Sequence, residues 1–266
     1  MQAGFKNTPI SCEYYGTDGD VLLLIHGLGT NGASWDPLLE IAKREWAGRI
    51  IVPDLRGHGL SEHRNNYSFG TMASDLADLF HVGDQVSIVG HSLGGALGAL
   101  LGSGWFGVNI DHVLALSVKI KWSDDEIAKG RAVAQNPSRA FATRAEAIDR
   151  FLKVSGLIGQ NGIDRCADLG VVEENGEYRL AADQRIFGCA AGGVPQLLAG
   201  TRSRLNLATG QNDPIAPPSD FADENMSVSI IEGAGHQVHL EAPDAVWKLF
   251  KDGKSETDRI SASTAI

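Results

Sequence analysis

A serine bracketed by glycines, set between a buried strand and a helix, is the feature of this 266-residue chain that most constrains its fold. Gly90-His91-Ser92-Leu93-Gly94 follows the apolar run Val86–Val89 and opens a helical pattern that continues through Ala96–Leu101. A strand that runs straight into a helix must turn its backbone sharply at the residue between them. Glycines two positions to either side leave room for that turn. The Ser92 hydroxyl is then expected at the carboxyl end of a sheet, where open α/β folds bind their ligands. The helix behind it offers N–H groups to developing negative charge. The chain holds 32 glycines, so the five letters alone carry little; the strand before them and the helix after them carry the information.

The flanking pattern is consistent with that placement. Ile10–Tyr15, Val21–Ile25, Ile50–Val52 and Val113–Leu116 read as strands, and Trp35–Glu45 and Met72–Phe80 as helices. Strands alternating with helices argue for a parallel sheet covered on both faces. From 118 to 203 the alternation stops. Ser123–Asp125 reads as a helix start, Arg144–Val154 as a helix, and Gly156–Gly162 and Glu173–Gly176 as loops. The alternation resumes with Leu205–Thr209, Ser227–Ile231 and the helix Pro243–Phe250, and the polar tail from Lys251 is expected to fray. The expected organisation is therefore a core of residues 1–117 and 204–266, interrupted by a helical cap of residues 118–203. The charge shifts with it: 118–203 carries a net of +1, and the remainder −11.

The net charge of −10 and the lack of a basic run argue against nucleic acid or anionic lipid as partners. No apolar stretch reaches the length of a spanning helix, so no membrane association is expected. The N-terminus lacks the apolar segment of a secretory signal. Cys12, Cys166 and Cys189 are odd in number and have no ligand-like spacing, which points to free thiols rather than zinc or disulfides. A cytoplasmic protein needing no metal or organic cofactor is the expectation, and the oligomeric state is left open.

A serine nucleophile needs a base, a group to orient the base, and donors for an oxyanion. Val21–Ile25 leads into His26-Gly27-Leu28-Gly29, a loop suited to presenting a backbone N–H; the amides of Leu28 and Leu93 are the candidate oxyanion hole. Leu205–Thr209 leads into Gly210-Gln211-Asn212-Asp213, and Ser227–Ile231 into Gly233-Ala234-Gly235-His236. Asp213 and His236 thus fall just beyond two late strands, in the chain order Ser, Asp, His. His239 is the rival base. Lys119 and Lys121 fall just past the strand Val113–Leu116, where they could meet an anionic substrate group. Trp35 and Trp122 are possible pocket walls, and Arg56 and His58 are read as holding their loop.

With these residues in place the chain resembles the α/β-hydrolase superfamily. Beyond the serine turn, the resemblance rests on His26–Gly29, on Asp54-Leu55-Arg56-Gly57-His58-Gly59-Leu60-Ser61, on Gly210–Asp213, and on Gly235-His236 with Glu241 and Pro243. It implies a mostly parallel eight-stranded sheet flanked by helices, with a helical cap inserted after the sixth strand. It also implies a serine hydrolase that cleaves a carboxylic ester or lactone of a small soluble substrate through an acyl-enzyme. Lys119, Trp35 and Trp122 are the expected substrate-binding residues. Related folds with the same triad cleave carbon–carbon bonds in diketones or act as cofactor-free perhydrolases, and a ligand receptor with this fold is the non-enzyme alternative.

Overall fold

The computed structural model describes residues 9–189 and 193–264. In chain order the core begins with β1 (Cys12–Tyr15), β2 (Val21–Ile25), a 3-10 turn (Gly32–Trp35), α1 (Asp36–Glu45), β3 (Arg49–Pro53) and α2 (Phe69–Ala77). It continues with β4 (Gln85–His91), α3 (Leu93–Leu101) and β5 (Asn109–Leu116). A long connection follows, holding α4 (Asp124–Gln135), α5 (Arg144–Val154), α6 (Asp164–Leu169), β6 (Val171–Glu174), β7 (Glu177–Leu180), a second 3-10 turn (Gln184–Cys189) and α7 (Val194–Ala199). The core then closes with β8 (Arg204–Gly210), α8 (Pro218–Asp223), β9 (Ser229–Ile231), α9 (Val238–Glu241) and α10 (Pro243–Thr264).

The main sheet has the order β1-β3-β2-β4-β5-β8-β9, with only β1 antiparallel. That is seven strands among the described residues where the resemblance implied eight; residues 1–8 lie outside them. β2 is buried along its whole length. Because side chains alternate across a strand, Val21, Leu23 and Ile25 join the core under α2 and α3, whereas Leu22 and Leu24 join the one under α1 and α10. This double burial explains why β2 reads as an unbroken apolar run. The chain leaves β2 for β3 on one side and returns to β4 on the other, so the carboxyl ends of β2 and β4 flank the point where the strand order reverses.

β5 pairs directly with β8, so the connection between them adds no strand to the main sheet. It is not purely helical. β6 and β7 form a hairpin of their own around Asn175 (φ 54°) and Gly176 (φ 81°). Asn-Gly with both residues at positive φ is the signature of a two-residue hairpin turn; its charged flanks hid the strands in the sequence. Phe141, Phe151, Cys166 and Val171 pack together here, against Ala33 and Leu240 of the core. α7 belongs with the core by packing: Val194 and Leu198 share the cluster beneath α3. α4 by contrast buries no residue. The C-terminal helix continues well past Phe250, so the segment expected to fray is helical to Thr264. No helix among the described residues is long and apolar enough to cross a membrane.

Five histidines are buried: His26, His58, His91, His112 and His239. Burial, which disfavours the cation, depresses every one below the ordinary 6.5: to about 4 for His26 and His112, to about 3 for His58 and His239, and well below for His91. The unfolded chain protonates these rings below pH 6.5 while the fold keeps them neutral. Their contribution is therefore intact above that pH and is lost as pH falls toward the folded values. Urea unfolding between pH 7.5 and 5 is expected to show a steep loss of stability, with uptake of roughly four to five protons on unfolding at pH 5. His112→Gln should lower that uptake by about one, and a flat stability profile over this range would contradict the reading.

Candidate active site

Ser92 stands between β4 and α3 at φ 50° and ψ −113°. Such a backbone costs a non-glycine residue about 1–3 kcal/mol and persists only where its surroundings hold it. Here the Ser92 N–H donates to the Leu116 carbonyl at 2.7 Å, and the Ser92 carbonyl accepts from the N–H groups of Gly95 and Ala96. The bracketing glycines are needed for close approach. A Cβ on Gly94 would lie 2.1 Å from the Ile25 carbonyl oxygen, and one on Gly90 would lie 2.3 Å from that of Gly94. The start of α3 is thus pressed onto the end of β2. The parallel register that pairs Ile25 with Gly90 sets the loop at 26–29 beside the serine.

Asp213 lies three residues beyond β8 and is almost fully buried. Its Oδ1 accepts from the N–H groups of Ile215 and Ala216 at 2.8 and 2.9 Å, and Thr209 Oγ1 donates to Oδ2 at 3.2 Å. His236 Nδ1 lies 3.0 and 2.9 Å from the two carboxylate oxygens. Burial pushes the Asp213 carboxyl up, but the His236 hydrogen bond and charge, with the two amides, outweigh it and hold the pKa at about 2. An ionised Asp213 makes Nδ1 the protonated nitrogen, which leaves Nε2 as the basic one.

Besides the contact with Asp213, two others fix His236, and the sequence assigned neither. The Glu241 carboxylate accepts from the backbone N–H groups of Gly235 and Gln237 and from Gln160 Nε2, closing the loop that carries the histidine. His91 Nε2 donates to the His236 carbonyl at 2.9 Å. The signal in the sequence was Glu241 itself, part of the Gly235-His236 segment that carries the resemblance. His239 sits on α9, 1% exposed, with its ring centroid 4.5 Å from those of both Trp35 and His91. It has no polar partner among the described residues.

Ser92, His236, Leu28 and Leu93 line one cavity of about 500 Å³. The backbone N–H groups of Leu28 and Leu93 have no acceptor among the described residues. Much of the remaining wall is apolar, with Phe69, Val118, Phe187 and Val194. Trp122 and Lys119 also line it, as expected from the sequence, but the Lys119 ammonium is engaged by Glu126 and lies 4.6 Å above the Trp122 ring. Lys121 is paired with Asp223 and Asp220. Trp35, expected in the pocket wall, is fully buried in the core with Leu22, Leu38 and Leu39 and does not reach the cavity. It ends the 3-10 turn leading into α1, whose apolar face turns it toward the sheet. Arg56 pairs with Asp75, and His58 Nδ1 lies 3.0 Å from the Arg56 carbonyl; both serve their loop.

A model of the family described as alpha/beta hydrolase matches residues 22–249. A serine hydrolase-like protein of Danio rerio is 24% identical over 88% of this chain and 81% of its own length. An uncharacterized protein of Mycobacterium tuberculosis is 44% identical over 82 residues, which span 30% of this chain and 24% of that protein. The chain therefore aligns with about a quarter of that relative's length. Among solved structures, the thioesterase domain from the curacin biosynthetic pathway superposes with a TM-score of 0.73 at 20% identity, covering 91% of this chain and 95% of that one.

The interlock between α3 and β2 leads to a stability test. Gly94→Ala forces a methyl group against a backbone carbonyl that cannot rotate away, and is expected to destabilise the fold by about 3 kcal/mol or to prevent folding. Gly70→Ala is the control, since a Cβ there meets nothing within 4 Å. Equal urea midpoints for the two variants would show that the close approach is not needed.

Proposed function

Because the chain belongs to the alpha/beta hydrolase family, we propose that it is a serine hydrolase that cleaves a carboxylic ester or lactone of a small molecule. The observation that carries this reading is His236, held by the buried Asp213 carboxylate and lining the same cavity as Ser92. His236 Nε2 takes the proton of Ser92 Oγ as the oxygen attacks the ester carbonyl carbon. The carbonyl oxygen gains the negative charge, which the N–H groups of Leu28 and Leu93 receive; that both lack a protein acceptor supports this role. Collapse of the tetrahedral intermediate breaks the bond to the alcohol oxygen. His236 returns its proton to the departing alkoxide and leaves an acyl group on Ser92. Water, deprotonated by His236, then attacks the acyl carbon and frees the acid and the serine. Asp213 stays ionised throughout and supports the imidazolium formed in each half.

In the same reading, the segment 118–203, apart from α7, which packs on the core, forms the cap that sets substrate choice. In support, Val118, Trp122 and Phe187 from this segment line the cavity. Trp122 is the substrate-facing wall of our proposal, with Lys119 holding it in place through the contact with its ring.

A fluorophosphonate is expected to label Ser92, and Ser92→Ala to lower ester turnover by about 10⁴ to 10⁶. Asp213→Asn should cost about 10⁴ through the wrong tautomer. His236→Ala should abolish labelling, whereas His239→Ala should lower stability yet leave the folded fraction reactive at Ser92. Labelling of a different serine, or near-normal turnover by Ser92→Ala, would overturn the assignment.

A further inference from the structure

Two lysines line the cavity that holds Ser92 and His236, and their surroundings differ. Lys119 is neutralised by Glu126. Lys153, in the last turn of α5, has no ion-pair or hydrogen-bond partner among the described residues. The sequence offers it one: Asp149 lies four positions earlier on the same helix, a spacing at which such pairs form readily. Lys129 takes that option with Asp125, and Lys248 pairs with Asp252 at the same separation. Lys153 lines the cavity instead. A lysine at a helix C-terminus suits the negative end of the helix dipole, but that role does not require it to reach the cavity.

The end of α5 is also held in place. The Ser155 carbonyl accepts from Gln237 Nε2 at 3.1 Å, beside the histidine, and Ser155 Oγ donates to the Phe151 carbonyl at 2.6 Å. Phe151 is buried in the packing beneath. Val154 presents its carbonyl toward Gly29 of the loop that carries the Leu28 amide. Lys153 therefore stands on a fixed wall between the histidine loop and that loop. The carboxylate that lines the same cavity, Glu241, is already met by three N–H donors. Among the described residues, what is left is one solvent-exposed ammonium without an ion-pair partner, on a cavity whose wall is otherwise largely apolar.

We propose that Lys153 receives a carboxylate of the substrate, so that the preferred ester carries an apolar chain ending in a single negative charge. One free ammonium balances a monoanion, whereas a phosphate monoester would bring a second charge with nothing to meet it. The proposal rests on the hydrolase reading for the identity of the substrate, but the site itself can be tested without turnover.

The test compares methyl heptanoate with the monomethyl ester of heptanedioic acid, which differ only in the terminal carboxylate. Binding of each to the Ser92→Ala protein is measured by calorimetry, so that no hydrolysis intervenes. The charged ester is expected to bind about five- to tenfold more tightly, as for a charge-assisted contact at an exposed group. Adding Lys153→Met should remove the difference, Lys153→Arg should keep it, and Lys153→Glu should reverse it. Equal binding of the two esters, or a preference that survives Lys153→Met, overturns the proposal. Wild-type kcat/KM on the same pair separates it from the hydrolase reading. A Lys153-dependent binding preference with neither ester turned over keeps the carboxylate site and rejects the ester hydrolase. Turnover of both esters without a Lys153-dependent preference does the reverse.

Discussion

The close approach of α3 to β2 is the constraint on which the rest of the site depends. The register that pairs Ile25 with Gly90 and the contact of Gly94 with the Ile25 carbonyl press two loop ends together. One carries Leu28 and the other Ser92 and Leu93. The next pairing in the sheet, His91 with Leu116, supplies the carbonyl that holds the strained Ser92 N–H. β8 and β9 then bring Asp213 and His236 to the same edge, since Gly210 pairs with Ile231 and each of the two lies a few positions further on. No long-range folding of loops is needed to assemble these groups. Parallel strands in register place all of their carboxyl ends together, and short loops keep them there.

The connection over this edge has two parts that differ physically. α5, α6 and the β6–β7 hairpin share a packed cluster with Ala33 and Leu240 and are tied to the core by buried polar contacts. Asn31 donates to the Cys166 carbonyl and Gln237 to that of Ser155, while Arg165 bridges Asp36 and Glu13 at the surface. α4 buries nothing. It is held by its capping box, by Lys119–Glu126, by Gln184 donating to the Val133 carbonyl, and by half-buried packing on the second 3-10 turn. Exposed ion pairs and single hydrogen bonds each contribute little. Local opening therefore has a natural place at α4, whereas the wall bearing Lys153 and Val154 moves only if the packed cluster moves with it.

The sequence was most informative where a rule of backbone geometry forced residue choice. The strand–glycine–serine–glycine–helix segment, the order of Ser92, Asp213 and His236, and β2 with its exact ends were all legible for that reason. The hairpin was not, because its strands are short, half-exposed and charged, and only Asn175-Gly176 marked it. α7 was assigned to the inserted segment because chain position does not say which core a helix packs on. Trp35 was misplaced for a related reason: an aromatic residue near a functional loop fits a pocket or a core equally well, and only packing decides. Lys153 escaped notice because a lysine in the last turn of an amphipathic helix is unremarkable until its expected partner, Asp149, is seen to be unused.

The histidines around the proposed triad follow from the same economy of charge. His91 and His239 sit against His236 or one ring removed from it, and both are kept neutral by burial. In the proposed mechanism, when His236 takes a proton, Asp213 is the anion that answers it, and neither His91 nor His239 adds a cation beside it. A lysine or arginine in place of His91 or His239 would raise the energy of that imidazolium, and a carboxylate there would trap it. A buried neutral ring does neither, and at His91 it also supplies an N–H that fixes the His236 carbonyl. In the proposed mechanism, the low pKa values of these two rings leave proton transfer to His236 alone rather than to a cluster of histidines.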